Sequence, residues 1–175
     1  DSSNSINDIG WGRMLDFMCE FFNHIPVGKP CIQIAALQFS STVIHLFHFQ
    51  NNQTARGLCS FIRNITRIRT NSKIDAALES VISDGYFKEG KYVSRSNVLK
   101  VVLLISDGNS DNQDAAVRQA KALRNQKIHT IAAGIGAVNN DELIAITGNE
   151  NLVFSAKSLD DASEVACLLE NEVCI

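Results

Sequence analysis

The sequence predicts an α/β fold: a three-layer, doubly wound and mostly parallel sheet with helices on both faces. Three observations predict it. Apolar runs of strand length, CIQIAALQF (31–39), LKVVLLIS (99–106) and IHTIAAGIG (128–136), alternate with segments of helical periodicity, the order expected of a parallel sheet covered by helices. The run at 99–106 is continuously apolar, as a central strand buried on both faces must be. One segment breaks the alternation: TVIHLFHF (42–49) follows 31–39 after only Ser40 and Ser41. That connection is too short for a crossover, so this strand returns antiparallel, as a hairpin at the sheet edge.

The elements follow in order. Over residues 8–24, Met14, Met18 and Phe21 recur at helical spacing with Leu15 and Phe22 one step round, and Ile25 continues the series; Pro26 and Gly28 close the helix. After the hairpin, 54–65 and 72–83 read as helices separated by the polar stretch RIRTNS, and an irregular segment DGYFKEGKYVSRSN leads to the central strand. A helix at 112–126, the strand 128–136, a short helix at 140–147, a short strand at 152–155 and a final helix at 159–171 complete the chain. No internal repeat, low-complexity tract or linker interrupts the 175 residues, a length that fits one domain able to bury its own core.

Composition removes several functions. The net charge is -3 with no basic stripe, which argues against nucleic acid. The longest apolar runs fall far short of the ~20 residues of a membrane span. Five cysteines (Cys19, Cys31, Cys59, Cys167, Cys174) show no C-x-x-C spacing, which argues against a zinc site. Buried thiols and one disulfide plus leftovers are both open, and a mixture is favoured. Cys19, among Met14, Phe17, Met18, Phe21 and Phe22, is expected in the core. His45 and His48 are expected on opposite strand faces and so form no ligand pair, and Phe47 and Phe49 of the edge hairpin are expected in the core. Gly134-Ile135-Gly136 lacks the third glycine of a dinucleotide fingerprint, and no G-x-S-x-G, H-E-x-x-H or Walker loop occurs, so no enzyme is read here. Asn52 and Asn64 head N-x-[ST] triplets, possible glycosylation sites. Sixteen Asn and twenty-two Ser plus Thr give roughly two such triplets by chance, so the motif alone is no sign of secretion.

In doubly wound sheets ligands bind beyond the carboxyl ends of the strands. Three segments stand where the chain enters a helix: Asp1-Ser2-Ser3-Asn4-Ser5, Arg69-Thr70-Asn71-Ser72 and Ser106-Asp107-Gly108. Each has a plain structural reading. Ser5 or Asp8, Ser72 and Asp111 suit helix N-caps, and Asp107-Gly108 suits a turn. Together they offer only oxygen: hydroxyls of Ser3, Ser5 and Thr70, carboxylates of Asp1 and Asp107. A small hard cation takes six oxygens and keeps some water, and an oxygen-only set favours Mg²⁺ or Mn²⁺ over zinc.

Asp1, Ser3 and Ser5 as D-x-S-x-S, then Thr70, then Asp107 in S-D-G, resemble in order the metal-ion-dependent adhesion site of the von Willebrand factor type A family, also called the integrin I-like domain. The resemblance runs over essentially all 175 residues. It implies strand order 3-2-1-4-5-6, a metal set of Asp1, Ser3, Ser5, Thr70 and Asp107, and Mg²⁺ (or Mn²⁺) with one position left for a partner's carboxylate. Asn4, Arg69, Asn71 and Asn109 beside these loops are ligand-surface candidates, and Arg69 is expected to draw acidic partners.

The implied function is a non-enzymatic, cation-dependent adhesion module of an extracellular-matrix or cell-surface protein. Its ligand would be a protein, collagen-like or another matrix component, and it would sit beside other domains of its polypeptide. An assembly or regulatory domain of complement or intracellular type would carry the same residues. In the family a strand precedes the aspartate of D-x-S-x-S. Residues 1–175 are therefore read as a single, N-terminally truncated domain, with a vacant or otherwise filled slot between 31–39 and 99–106. A charged α-amino group on Asp1 would then oppose the cation. The resemblance also implies that Cys174 is unpaired here and bridged in the full protein.

Overall fold

A computed structural model describes residues 1–28, 31–50, 53–89 and 95–173. Helix α1 spans Asp8–His24, strand β1 Ala36–Phe39, strand β2 Val43–Phe47, helix α2 Ala55–Ile62 and helix α3 Ile74–Ser83. Then come β3 (Lys100–Ser106), α4 (Gln113–Asn125), β4 (Ile128–Gly134), α5 (Asn140–Thr147), β5 (Val153–Ser155) and α6 (Leu159–Val173). The helix starts are set by short polar side chains. Asn7, Thr54, Asn112 and Asn139 each accept a hydrogen bond from a first-turn backbone N–H, satisfying donors a helix cannot pair itself. Ser5, Asp8, Ser72 and Asp111 are therefore not the caps: those positions belong to Asn7, Lys73 and Asn112.

β3, β4 and β5 form a parallel sheet in the order β3-β4-β5, and β1 pairs β2 antiparallel as a separate hairpin. One core cluster joins Met14, Phe17, Ile62, Val165, Ile105 and Ile131. A second, on the opposite side, joins Leu78, Ala120, Leu123, Leu143, Leu104 and Ala132. Leu104 and Ile105 thus face different layers, as do Ile131 and Ala132, because strand side chains alternate. Helices α1, α2 and α6 cover one face; α3, α4 and α5 cover the other.

Among the described residues no ladder joins β1 to β3. A cavity of about 800 Å³ lies between them, lined by Leu37 and Phe39 on one side, Leu103 and Ile105 on the other, and Phe21 and Met18 of α1. Asp1 and Ser2 close one end. The Asp1 amine donates to the Ile105 carbonyl at 3.0 Å, and the Ser2 N–H donates to the Phe39 carbonyl at 2.8 Å. β1 is shorter than the run 31–39. Ile32 and Ile34 line this cavity, but their backbones turn elsewhere: Ile32 forms an isolated parallel bridge with Val27, and the Ile34 N–H donates to the Gln53 side-chain oxygen at 2.8 Å.

Cys19 lies in the core as expected, 5% exposed, and is disulfide-bonded to Cys59, with Cα atoms 4.9 Å apart, tying α1 to α2. Sequence periodicity sees only that Cys19 is buried, and here the apolar pocket holds a bridge. His45 and His48 are not apart: their ring centroids lie 5.9 Å from one another, and both rings pack on Tyr86. β2 ends at Phe47, so His48 escapes the strand alternation. Phe47 and Phe49 are half-buried, the first edge-on to Phe61 and the second tilted against Phe87. Cys174 and Asn52 lie outside the described residues.

Candidate metal centre at the strand ends

The Asp1 carboxylate organises the first loop. Its Oδ1 accepts the Ser3 N–H at 2.9 Å, and its Oδ2 accepts the hydroxyls of Ser106 at 2.6 Å and Ser72 at 3.2 Å. One side chain thereby ties the loop at 1–5 to the end of β3 and to the loop before α3. Ser3, 1% exposed, and Ser5, on the surface, bring their hydroxyls to 2.9 Å of one another.

Asp107 is 1% exposed. Its Oδ1 accepts the Asn109 N–H at 3.1 Å, while its Oδ2 is buried with no hydrogen-bond partner. A buried carboxylate oxygen without a donor is costly; a cation held by this residue would relieve that cost. The turn after it requires glycine. Gly108 has φ +71°, and a Cβ there would lie 2.7 Å from the Asn139 carbonyl oxygen.

Thr70 is exposed, and its hydroxyl is engaged by the hairpin turn, 2.7 Å from both the Ser40 and the Ser41 hydroxyls. Its loop meets the first loop through backbone: Asn4 N–H donates to the Thr70 carbonyl at 2.8 Å and Arg69 N–H to the Ser2 carbonyl at 2.9 Å. Asn4, Asn71 and Asn109 are exposed on the rim. Arg69 is also exposed, but its guanidinium pairs with Asp8 at 2.8 Å. The same carboxylate also pairs with Arg67 at 3.1 Å, so Asp8 faces two guanidinium groups.

Burial lowers the pKa of an amine at Asp1 to about 5, against an opposing pull from Asp107. Among the described residues no three His, Cys, Asp or Glu gather where they could hold a metal. Any cation here relies on hydroxyls with the two aspartates.

Two contributors had no sequence signal. The side chain of Arg67 is 6% exposed and salt-bridged to Asp8 at 3.1 Å. It donates to the carbonyls of Ser3 and Ile6 and lies 5.6 Å over the Trp11 ring. It braces the first loop from beneath, yet in RIRTNS it reads as one charge in a polar connector. Glu142, 4% exposed, accepts the backbone and hydroxyl donors of Ser110. Burial pushes its carboxyl above the ordinary range despite those hydrogen bonds, and the charge of Asp107 adds to the rise.

These observations define a class: an α/β domain whose strand-end loops carry two buried carboxylates, Asp1 and Asp107, and the hydroxyls of Ser3, Ser5 and Thr70. The chain belongs to the von Willebrand factor type A domain family, whose profile matches residues 1–166. It is 29% identical to the collagen alpha-4(VI) chain of Mus musculus over 99% of its own length and 7% of that protein's. It is 22% identical to matrilin-2 of Mus musculus over 99% of its length and 18% of that protein's. The chain thus spans under a fifth of either matrix protein.

Proximal thread matrix protein 1 from the mussel byssus, solved with its adhesion motif occupied by zinc, matches at TM-score 0.77 and 25% identity, covering 97% of this chain and 45% of that one. Manganese-loaded TRAP protein of Plasmodium vivax matches at TM-score 0.81 and 20% identity, covering 98% of this chain and 69% of that one. The likeness to TRAP shows the fold. The mussel protein's zinc also shows that such a motif does not by itself exclude that metal.

Proposed function

We propose that this chain is a cation-dependent protein-binding module of an extracellular-matrix or cell-surface protein. Asp1, Ser3, Ser5, Thr70 and Asp107 are its metal residues, and Mg²⁺ or Mn²⁺ its ion. The observation that carries the reading is the buried, unpartnered Oδ2 of Asp107 in a loop cluster whose other donors are hydroxyls and one more carboxylate. When bound, the cation supplies an unfilled coordination position to a Glu or Asp of a protein partner, collagen-like or another matrix component. The chain's own residues orient and exclude water. Asp1 fixes the loop, Ser3 and Ser5 offer adjacent hydroxyls, and Asn4, Asn71 and Asn109 form the polar rim. Collagen VI and matrilin relatives and a disulfide, a bond of oxidising compartments, support the extracellular setting.

We further infer a single domain whose central slot takes one more strand. Asp1 and Ser2 hydrogen-bond alternately to Ile105 and Phe39, as a strand entering between β3 and β1 would.

The test is binding of immobilised matrix proteins by the polypeptide that carries this chain. Binding is expected with Mg²⁺ or Mn²⁺, to be lost on chelation, and to fall at least tenfold in Asp107→Ala with circular dichroism unchanged. Ser3→Ala should weaken the cation itself. Thr70→Ala should weaken the ligand more than the cation, since its hydroxyl is held by Ser40 and Ser41. Chelator-resistant binding that survives Asp107→Ala would place the partner elsewhere.

A further inference from the structure

A groove of about 730 Å³ opens on one face of the β1–β2 hairpin, between Ile44 and Leu46 and the chain from Phe61 to Ile68. Ile44 is 43% exposed and Phe61 45%. Phe61 is fixed edge-on against Phe47 with ring centroids 5.4 Å apart. Exposed apolar surface beside a two-stranded hairpin invites association, and native proteins cover such surfaces. Asn64, Ile65 and Thr66 all line this groove, and they are the triplet N-x-[ST]. Asn64 and Thr66 are exposed. The Asn64 side-chain amide donates to the Ser60 carbonyl at 2.7 Å, which holds it at the end of α2, three residues after Phe61.

We propose that Asn64 carries an N-linked glycan whose first sugars lie in this groove, packed on the Phe61 ring, so that the domain covers its exposed hairpin face with carbohydrate. The inference rests on the extracellular reading. Transfer from a lipid-linked pyrophosphate donor breaks the sugar C1–O bond and forms the Nδ2–C1 bond. One Nδ2 hydrogen leaves as a proton with the departing pyrophosphate lipid; the other remains and can still serve the Ser60 carbonyl. The occupant fits chemically. A pyranose presents a face of C–H bonds to an aromatic ring and directs its hydroxyls to water, whereas a bulky solubilising modification belongs on the surface. The groove supplies the ring in Phe61, the aliphatic wall in Ile44, Leu46 and Ile65, and polar edges in Gln38 and Thr66. Chance accounts for a triplet somewhere in the chain. It does not account for one set three residues beyond an exposed aromatic, on the rim of an apolar groove.

The experiment uses the polypeptide that carries this chain, secreted from animal cells. Mass mapping should find a glycan at Asn64. Enzymatic removal from the folded protein should lower Tm by about 2–4 °C and speed amide exchange in β2 several-fold, leaving β3 and β4 unchanged. Asn64→Gln and Thr66→Ala should reproduce both effects, and in Phe61→Ala removal should change neither. A secreted protein with bare Asn64, or a glycan whose removal moves neither Tm nor β2 exchange, overturns the proposal, as does a protein partner found seated in the groove. Metal-dependent binding measured on the same samples separates the two readings. Its loss in glycosylated protein would sink the functional proposal alone, and its persistence beside a bare Asn64 would sink this one alone.

Discussion

β4 and β2 are both largely apolar strands with one histidine each, set in opposite surroundings. In β4, Ile131, Ala132 and Ala133 are at most 4% exposed, with β3 on one side, β5 on the other and a helical layer on each face. In β2, Ile44 is 43% exposed, the strand has β1 as its partner, and a cavity separates that hairpin from β3. The candidate metal loops straddle this divide. Asp107 and Ser106 end the well-packed half, while Thr70 leans on Ser40 and Ser41 of the hairpin turn. Residues 1–5 cross between them. The contrast teaches that the half enclosed by strands and helices supplies a buried carboxylate, Asp107, whereas the half set apart by the cavity holds an exposed hydroxyl, Thr70.

The largest break in this arrangement should come from the covalent tie. Replacing both Cys19 and Cys59 by Ser should lower stability by about 4 kcal/mol on the chain-entropy account of a loop this long. Hydrogen exchange should rise in β1 and β2 more than in β3 and β4; equal increases would mean the two halves open as one unit. Arg67→Ala comes next. It strips the Ser3 and Ile6 carbonyls of a buried donor and leaves Asp8 with Arg69 alone. A loss of about 2–4 kcal/mol should be read by urea denaturation, with weaker cation binding by calorimetry. Full cation affinity in the variant would show that the first loop needs no brace.

Legibility in the sequence followed the same divide. The helices at 8–24, 112–126 and 140–147 and the strands at 99–106 and 128–136 were readable because burial on fixed faces imposes a period. Their structural bounds differ by at most two residues. The antiparallel hairpin was readable from its two-residue turn. The stretch 31–35 was not, because apolar residues lining a cavity look like apolar residues in a ladder. The three metal loops were visible by residue type and order, whereas their supports were not. Arg67 lies far in sequence from Ser3 and Ile6, and Ser72 has the residue type and place of a helix cap although its hydroxyl donates to Asp1. The disulfide joins residues 40 apart, a pairing that five cysteines leave ambiguous.

A matched pair of substitutions sharpens the contrast directly. Ala132→Val adds two methyl groups where nothing is exposed and should cost about 1–3 kcal/mol by overpacking. Ile44→Thr on the hairpin should change stability by about 0.5 kcal/mol or less. Similar losses in thermal unfolding would erase the distinction between the halves.

The smallest effect expected is electrostatic. Because burial raises the Glu142 carboxyl above its ordinary value, the folded state holds that proton more tightly than the unfolded state. Its contribution is fully present below the ordinary carboxylate pKa and is lost as pH rises through the raised one. Glu142→Gln should flatten that part of the stability–pH curve, and an unchanged slope would assign it to other carboxylates.

The Cys19–Cys59 bridge encloses both strands of the hairpin in a closed ring of chain. In a matrix polypeptide pulled from both ends, tension would bypass that ring. Once the domain has unfolded, the residues between the cysteines stay slack, and the chain reaches about 140 Å less than its full contour, at ~3.5 Å for each residue across a separation of 40. Reduction of a single bond would release that hidden length, so the bridge sets how far this segment can stretch under load as well as how firmly it folds at rest.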